Sequence, residues 1–262
     1  MMKKKMHDWP KRWVELQAIL DAGIDWPSFR RNMKLMRYIQ TTKRDMYLMQ
    51  WTRCRKEKVP LQWCEDSTAG DPEGWTRSSI FVTPSSLRAA RVLHTITQRW
   101  EPLHPMRVLE IGGGFGALAR TVLTYLDVES YTMIDGPPCL EIQRRYLEMT
   151  VPAAPIELIS CHDVKRDGGG LSDAAFDLVI NTNSFSEMDL ADVVGYFSLI
   201  HHTLMPGGLF YTLNRNRLNY DGATPDVPFK DFPMDDRWDI IYRETPADAP
   251  LWLEVLATRM PQ

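Results

Sequence analysis

The segment Glu110-Ile111-Gly112-Gly113-Gly114-Phe115-Gly116 sets one carboxylate two residues ahead of a run of glycines. Glycine lets a backbone approach a ligand closely, and the turn from a strand into a helix is where an α/β sheet offers that approach. Gly112, Gly114 and Ala117 also satisfy the dinucleotide spacing G-x-G-x-x-G/A, so the glycines alone do not choose a ligand. Charge does. A carboxylate at Glu110 repels a pyrophosphate but favours the ammonium and sulfonium of S-adenosylmethionine, and the extra glycine at Gly116 fits the same reading.

Further residues fall at the expected strand ends. Asp135 closes the second strand and can accept hydrogen bonds from two ribose hydroxyls, a role shared by both cofactor classes. His162-Asp163 follows the third, with Asp163 expected near an adenine amino group or, alternatively, capping a turn. The fourth strand delivers Asn181-Thr182-Asn183-Ser184-Phe185-Ser186-Glu187-Met188. Its uncharged donors and acceptors place Asn181 and Asn183 on the cofactor side, together with Gly113, and Ser184 on the acceptor side. Glu187 is the first choice for a general base, with helix capping as its alternative role, and His162 is the second choice. Arg215, after the fifth strand, is expected to meet an anionic group on the acceptor. His201 and His202 sit late in a helix, where a cation complements the dipole. No cluster demands a metal; Asp235-Asp236 with Glu187 are the candidates if one binds.

The elements that must hold these residues follow from periodicity. Strands are predicted at Arg107–Ile111, Tyr131–Ile134, Ile156–Ser160, Phe176–Asn181 and Leu209–Leu213, with helices near 116–126, 138–149 and 190–204 between them. Such alternation means a doubly wound, mostly parallel sheet. Trp238–Arg243 and Leu251–Ala257 read as a closing hairpin that brings the sheet to seven strands. The first hundred residues read as helical: a helix from Pro10, capped by Asp8, to Gly23, one over 28–40, one over 43–58, a break over 60–74, and a helix from Thr83-Pro84 to Trp100. The expected division is an N-terminal helical lid over 1–80 and a cofactor-binding domain over 81–262.

With 262 residues, 44% apolar and 25% charged, the chain can bury a core without disulfides, and its four cysteines show no C-x-x-C spacing. It lacks a long apolar run and an N-terminal signal pattern, so a cytoplasmic protein without membrane contact is expected. Residues 1–60 hold 15 Lys and Arg against 6 Asp and Glu, a balance of +9 in a chain of net charge −3. That segment either meets an anionic partner or covers an acidic face of its own chain.

Three segments carry a resemblance: Val108 to Arg120 (VLEIGGGFGALAR), Asn181 to Met188 (NTNSFSEM), and Met205 to Arg215 (MPGGLFYTLNR). Together, with Tyr131 to Asp135 between them, they resemble the sugar O-methyltransferases over roughly residues 85–260; residues 1–80 match nothing in that family. The resemblance implies a class I methyltransferase fold, S-adenosylmethionine as donor, S-adenosylhomocysteine as product, and a hydroxyl of a sugar, nucleotide-sugar or related metabolite as acceptor. It implies cofactor roles for Glu110, Gly112, Gly114, Gly116, Asp135 and Asp163. The alternatives are an RNA methyltransferase gripping phosphates through the basic segment, an N- or C-methylating enzyme, a nicotinamide enzyme or a non-catalytic partner protein. Nucleic acid is not the expected partner, and a homodimer is left open.

Overall fold

The computed structural model describes residues 9–39, 47–101, 105–165, 170–216, 228–246 and 251–261. Asp8 and the beginning of the helix expected over 43–58 lie outside them.

A seven-stranded sheet organises the chain. Its strands are β3 (Met106–Ile111), β4 (Val128–Asp135), β5 (Ile156–Ser160), β6 (Phe176–Thr182), β7 (Leu204–Arg215), β8 (Trp238–Glu244) and β9 (Trp252–Arg259). They lie in the order β5-β4-β3-β6-β7-β9-β8, and β9 alone runs against the others. The hairpin expected at the end is present, with β9 inserted between β7 and β8. Alternation along β6 sends Leu178 and Ile180 to one core and Val179 to the other, so both faces are covered and the middle of the strand, Leu178–Ile180, is apolar throughout.

Helices α4 (Pro84–Thr97), α5 (Ala117–Tyr125) and α6 (Pro137–Thr150) serve the first core; α7 (Leu190–Thr203) serves the second. Thr83 starts α4 as expected: its hydroxyl accepts from Ser86 N while the Ser86 hydroxyl accepts from Thr83 N.

The N-terminal part departs from an all-helical reading in two places. Residues 28–40 do not form one helix. A 3-10 helix (Trp26–Arg31) stops at Asn32, whose extended backbone and side chain, accepting from Leu35 N at 3.1 Å, open α2 (Met33–Ile39). Met33, expected on the packing stripe, is consequently 79% exposed, whereas Phe29 and Met36 are buried beside the sheet residues. Second, β1 (Trp75–Arg77) and β2 (Ile80–Val82) form a hairpin turned by Ser78 and Ser79 at φ 47° and 67°. Both central residues at positive φ match a type I′ turn, normally announced by Asn-Gly or Asp-Gly. The remaining N-terminal helices are α1 (Trp9–Asp21) and α3 (Tyr47–Lys56).

A buried hub joins this part to the sheet domain. Arg30 donates to Asp66 at 2.6 Å and to the Ser67 carbonyl, and its guanidinium lies 4.9 Å from the centre of the Phe115 ring. Thr83 donates to the same carboxylate. Among the described residues, no helix is long and apolar enough to cross a membrane.

Candidate active site

The carboxyl ends of β3, β4, β5 and β6 open into one cavity of about 460 Å³. That lies in the range of ordinary small-molecule sites. Its wall brings together Glu110, Gly112, Gly113, Gly114, Asp135, His162, Asn183, Ser184 and Glu187.

The turn after β3 needs its glycines. Gly112, Gly114 and Gly116 hold φ of 77°, 61° and 98°, a region that side chains disfavour. Position 112 is doubly constrained: a Cβ there would stand 2.4 Å from Ser184 Oγ. Gly116 begins α5, and its carbonyl accepts from Arg120 N at 2.9 Å.

Glu110 is 1% exposed, and Tyr131 donates to its Oε2 at 2.8 Å. Burial pushes its pKa up to about 7, against the lowering effect of the Tyr131 bond and with a smaller push from Asp135. Among the described residues, no cationic side chain is among the influences on it. A buried carboxylate with no counter-charge is costly, and a ligand ammonium supplies the missing one. Asp135 accepts from Gly136 N and Gln143 Nε2, both at 2.7 Å. Burial raises its pKa to about 6, partly offset by those hydrogen bonds. Its remaining lone pairs suit hydroxyl donors such as those of a ribose.

Glu187 is 7% exposed and ends a 3-10 helix (Phe185–Glu187). It does not cap α7: Asp189 holds the N-cap position, although its side chain makes no capping bond. Beside it on the wall stand Asp189, Asp192 and Tyr196, with Ser85 and Arg88 from α4 and Trp9 and Trp13 from α1. Sequence reasoning missed these residues. Ser85, Arg88, Ala89 and Val92 do repeat at the spacing of a single helical face, but nothing local marks that face as a site wall.

Other expectations need correction. Asn181 does not line the cavity. It is fully buried, donating to the Ile111 carbonyl at 2.8 Å and to Ser184 Oγ, and accepting from Asn214 Nδ2 at 2.7 Å. Asn214, unmarked in the sequence reading, also accepts from Ser186 N and so ties β7 to the β6 loop. The Ser184 hydroxyl is spent on the same scaffold, donating to the Ile111 carbonyl at 3.2 Å. Asp163 is exposed and off the wall, its amide closing a turn onto the Ser160 carbonyl. Arg215 lies outside the wall with its guanidinium 5.2 Å from the centre of the Trp252 ring; Arg88 is the guanidinium on the wall among the described residues.

His162 lines the cavity at β5, three inter-strand spacings from β6, or roughly 14 Å. His201 is poorly suited to a cationic cap: burial, with Arg237 and Arg259 nearby, lowers its pKa. Asp235 is held by Arg237 at 2.6 Å, away from Glu187's wall, and no described residues form a group suited to a metal ion.

No protein-family model and no curated protein matches the sequence. Solved structures do match. A protein of Galdieria sulphuraria assigned as a sarcosine dimethylglycine methyltransferase aligns at TM-score 0.56 and 12% identity, over 82% of this chain and 97% of that one. The [4+2]-cyclase SpnF aligns at 0.54 and 14%, over 82% and 95%. A geranyl diphosphate methyltransferase in complex with S-adenosylmethionine aligns at 0.53 and 13%, over 68% and 87%. Such identities speak to fold and leave chemistry to the site. The chain thus has the α/β fold that class I S-adenosylmethionine-dependent methyltransferases share.

Proposed function

We propose that this chain is an S-adenosylmethionine-dependent O-methyltransferase acting on a hydroxyl of a sugar, nucleotide-sugar or related small metabolite. The observation that carries the reading is the buried Glu110 carboxylate, without a cationic partner among the described residues, on the same wall as Glu187. Along the sheet edge the matching groups follow in order: Glu110 on β3 for the ammonium, Asp135 on β4 for the ribose, and the β5 end for the base. The reacting end then points to β6 and Glu187.

When bound, S-adenosylmethionine supplies a methyl group on a positively charged sulfur. The chain's own task is to align an acceptor oxygen and remove its proton. Glu187 would take that proton, while S-adenosylmethionine, once bound, would supply the methyl group to the acceptor oxygen and keep the C–S electron pair on sulfur. Arg88 takes the role first expected of Arg215 and meets an anionic group on the acceptor. Residues 1–80 serve as a lid, α1 contributing Trp9 and Trp13 to the wall, which α4 of the cofactor-binding part completes with Ser85 and Arg88. Three of the basic segment's 15 Lys and Arg are paired within the chain, in Arg30–Asp66, Arg31–Asp71 and Arg53–Glu57, and an RNA methyltransferase stays the alternative reading.

Transfer of labelled methyl from S-adenosylmethionine to a panel of sugars, nucleotide-sugars and amines tests the reading. A labelled hydroxyl product is expected, with Glu187→Gln lowering turnover about 100-fold or more at unchanged S-adenosylhomocysteine affinity. Labelling of amines alone overturns the O-methyl assignment, and undiminished turnover removes Glu187 as the base.

A further inference from the structure

The rows of side chains that β6 and β7 send into the second core end in polar groups. Val179 and Phe210 belong to that core; on the same faces, nearer the carboxyl ends, stand Asn181 and Asn214, both fully buried. A buried amide costs stability unless its hydrogens and its oxygen are matched. Here they are. Asn181 Nδ2 donates to the Ile111 carbonyl and to Ser184 Oγ, while Asn181 Oδ1 accepts from Asn214 Nδ2. Asn214 Nδ2 also donates to Thr212 Oγ1 at 2.8 Å, and Asn214 Oδ1 accepts from Ser186 N at 3.1 Å.

Backbone groups fix the direction of this chain at both ends. The Ser186 N–H can only donate, so Asn214 must turn its oxygen there; the Ile111 carbonyl can only accept, so Asn181 must turn its nitrogen there. In the middle that leaves Asn214 Nδ2 donating to Asn181 Oδ1, as found. The two ends belong to the two halves of the site: Ile111 precedes Gly112 of the cofactor turn, and Ser186 precedes Glu187. Further bonds brace the same loop. Asn183, at φ 73°, donates its N–H to the Leu213 carbonyl at 2.8 Å, and the Ser186 hydroxyl donates to the Asn183 carbonyl at 3.0 Å. Neither Asn181 nor Asn214 lines the cavity.

We propose that Asn214, acting with Asn181, is a positioning residue that fixes Glu187 relative to the cofactor turn. Apolar side chains of similar size would fill both places but leave the Ser186 N–H without this acceptor and the loop with one anchor fewer. Misplacing a reacting group by about 1 Å costs on the order of 100-fold in rate, so such an anchor bears directly on turnover. This inference rests on the reading of Glu187 as the base.

Amide exchange followed by NMR, calorimetry with S-adenosylhomocysteine, and turnover on the acceptor labelled in the panel test it. Asn214→Ala is expected to speed exchange at Ser186 N about tenfold or more while α7 and β9 keep theirs. It should lower kcat about 10- to 100-fold at unchanged KM and unchanged S-adenosylhomocysteine affinity. In a Glu187→Gln background the same substitution is expected to lower kcat no further, because both changes act through one carboxylate. An equal loss in both backgrounds or an unchanged kcat overturns the proposal. Exchange raised across all of β7 and α7 also overturns it, since that marks a structural role alone. Asn214→Asp keeps the shape and the oxygen facing Ser186 N, and supplies a second reading if Asn214→Ala does not fold: Ser186 N should stay slow to exchange, and fast exchange there overturns the anchor. Full turnover in Glu187→Gln sinks the base reading itself, whereas impaired Glu187→Gln beside unimpaired Asn214→Ala sinks this inference alone. The exchange arm decides the anchor whether or not the panel yields an acceptor.

Discussion

Replacing Glu110 by glutamine removes one charge from a buried position and keeps the shape, so it isolates the electrostatic part of recognition. The folded, ligand-free carboxyl titrates at about 7. A ligand ammonium pairs with the ionised form, so protonation weakens the ligand's apparent affinity by a factor of 1 + 10^(pKa − pH), about 11 at pH 6 and about 2 at pH 7. S-adenosylhomocysteine should therefore bind about fivefold more tightly at pH 7 than at pH 6 through Glu110 alone. Asp135, raised to about 6, adds less than about twofold over the same interval. The ligand's own α-ammonium, that of a free amino acid, stays protonated throughout. Calorimetry at both pH values, in two buffers of different ionisation enthalpy, reads both the affinity and the proton released. Glu110→Gln should bind more weakly at pH 7 and keep only the small Asp135 slope. A flat profile in the wild type, or an undiminished slope in Glu110→Gln, refutes the argument.

The same shift sets stability with the opposite sense. Because the folded pKa of Glu110 lies above its ordinary 4.5, the ligand-free protein loses stability as pH rises from 4.5 through 7, by roughly 3 kcal/mol in all. Denaturant unfolding at pH 8 should find Glu110→Gln more stable than the wild type although it binds ligand less well. Gly112→Ala should cost about 1–3 kcal/mol and weaken S-adenosylhomocysteine strongly, since φ of 77° and the close Ser184 both oppose a methyl group; wild-type binding contradicts the turn geometry. Glu254 is fully buried and held by Arg91 at 3.0 Å and by the Tyr211 hydroxyl, so Glu254→Ala should destabilise by about 3–5 kcal/mol in chemical denaturation. A change under about 1 kcal/mol shows that the network is solvated.

What was legible in the sequence was what local chemistry dictates. The bounds of β5 follow from its own apolar run, and Gly112 and Glu110 announce themselves because a turn's backbone and a misplaced carboxylate carry their reasons locally. Less legible were features fixed by distant partners. Asn181 and Asn214 look like site residues by type, yet they satisfy each other across β6 and β7. Arg88 and Trp13 look like ordinary helix residues, and only the packing of α4 and α1 over the strand ends brings them to the cavity. The β1–β2 hairpin escaped because Ser78-Ser79 adopts a conformation usually reserved for Gly and Asn. The break at Asn32 is a cap placed inside an apolar stripe that would otherwise read as one helix.

Titration calorimetry of the wild type with S-adenosylhomocysteine and, separately, with NAD at pH 7.5 tests the central claim most directly. Saturable binding of S-adenosylhomocysteine with no detectable heat from NAD is the predicted result. Binding of NAD, or no binding of S-adenosylhomocysteine, contradicts a site built around a buried carboxylate that receives a ligand ammonium.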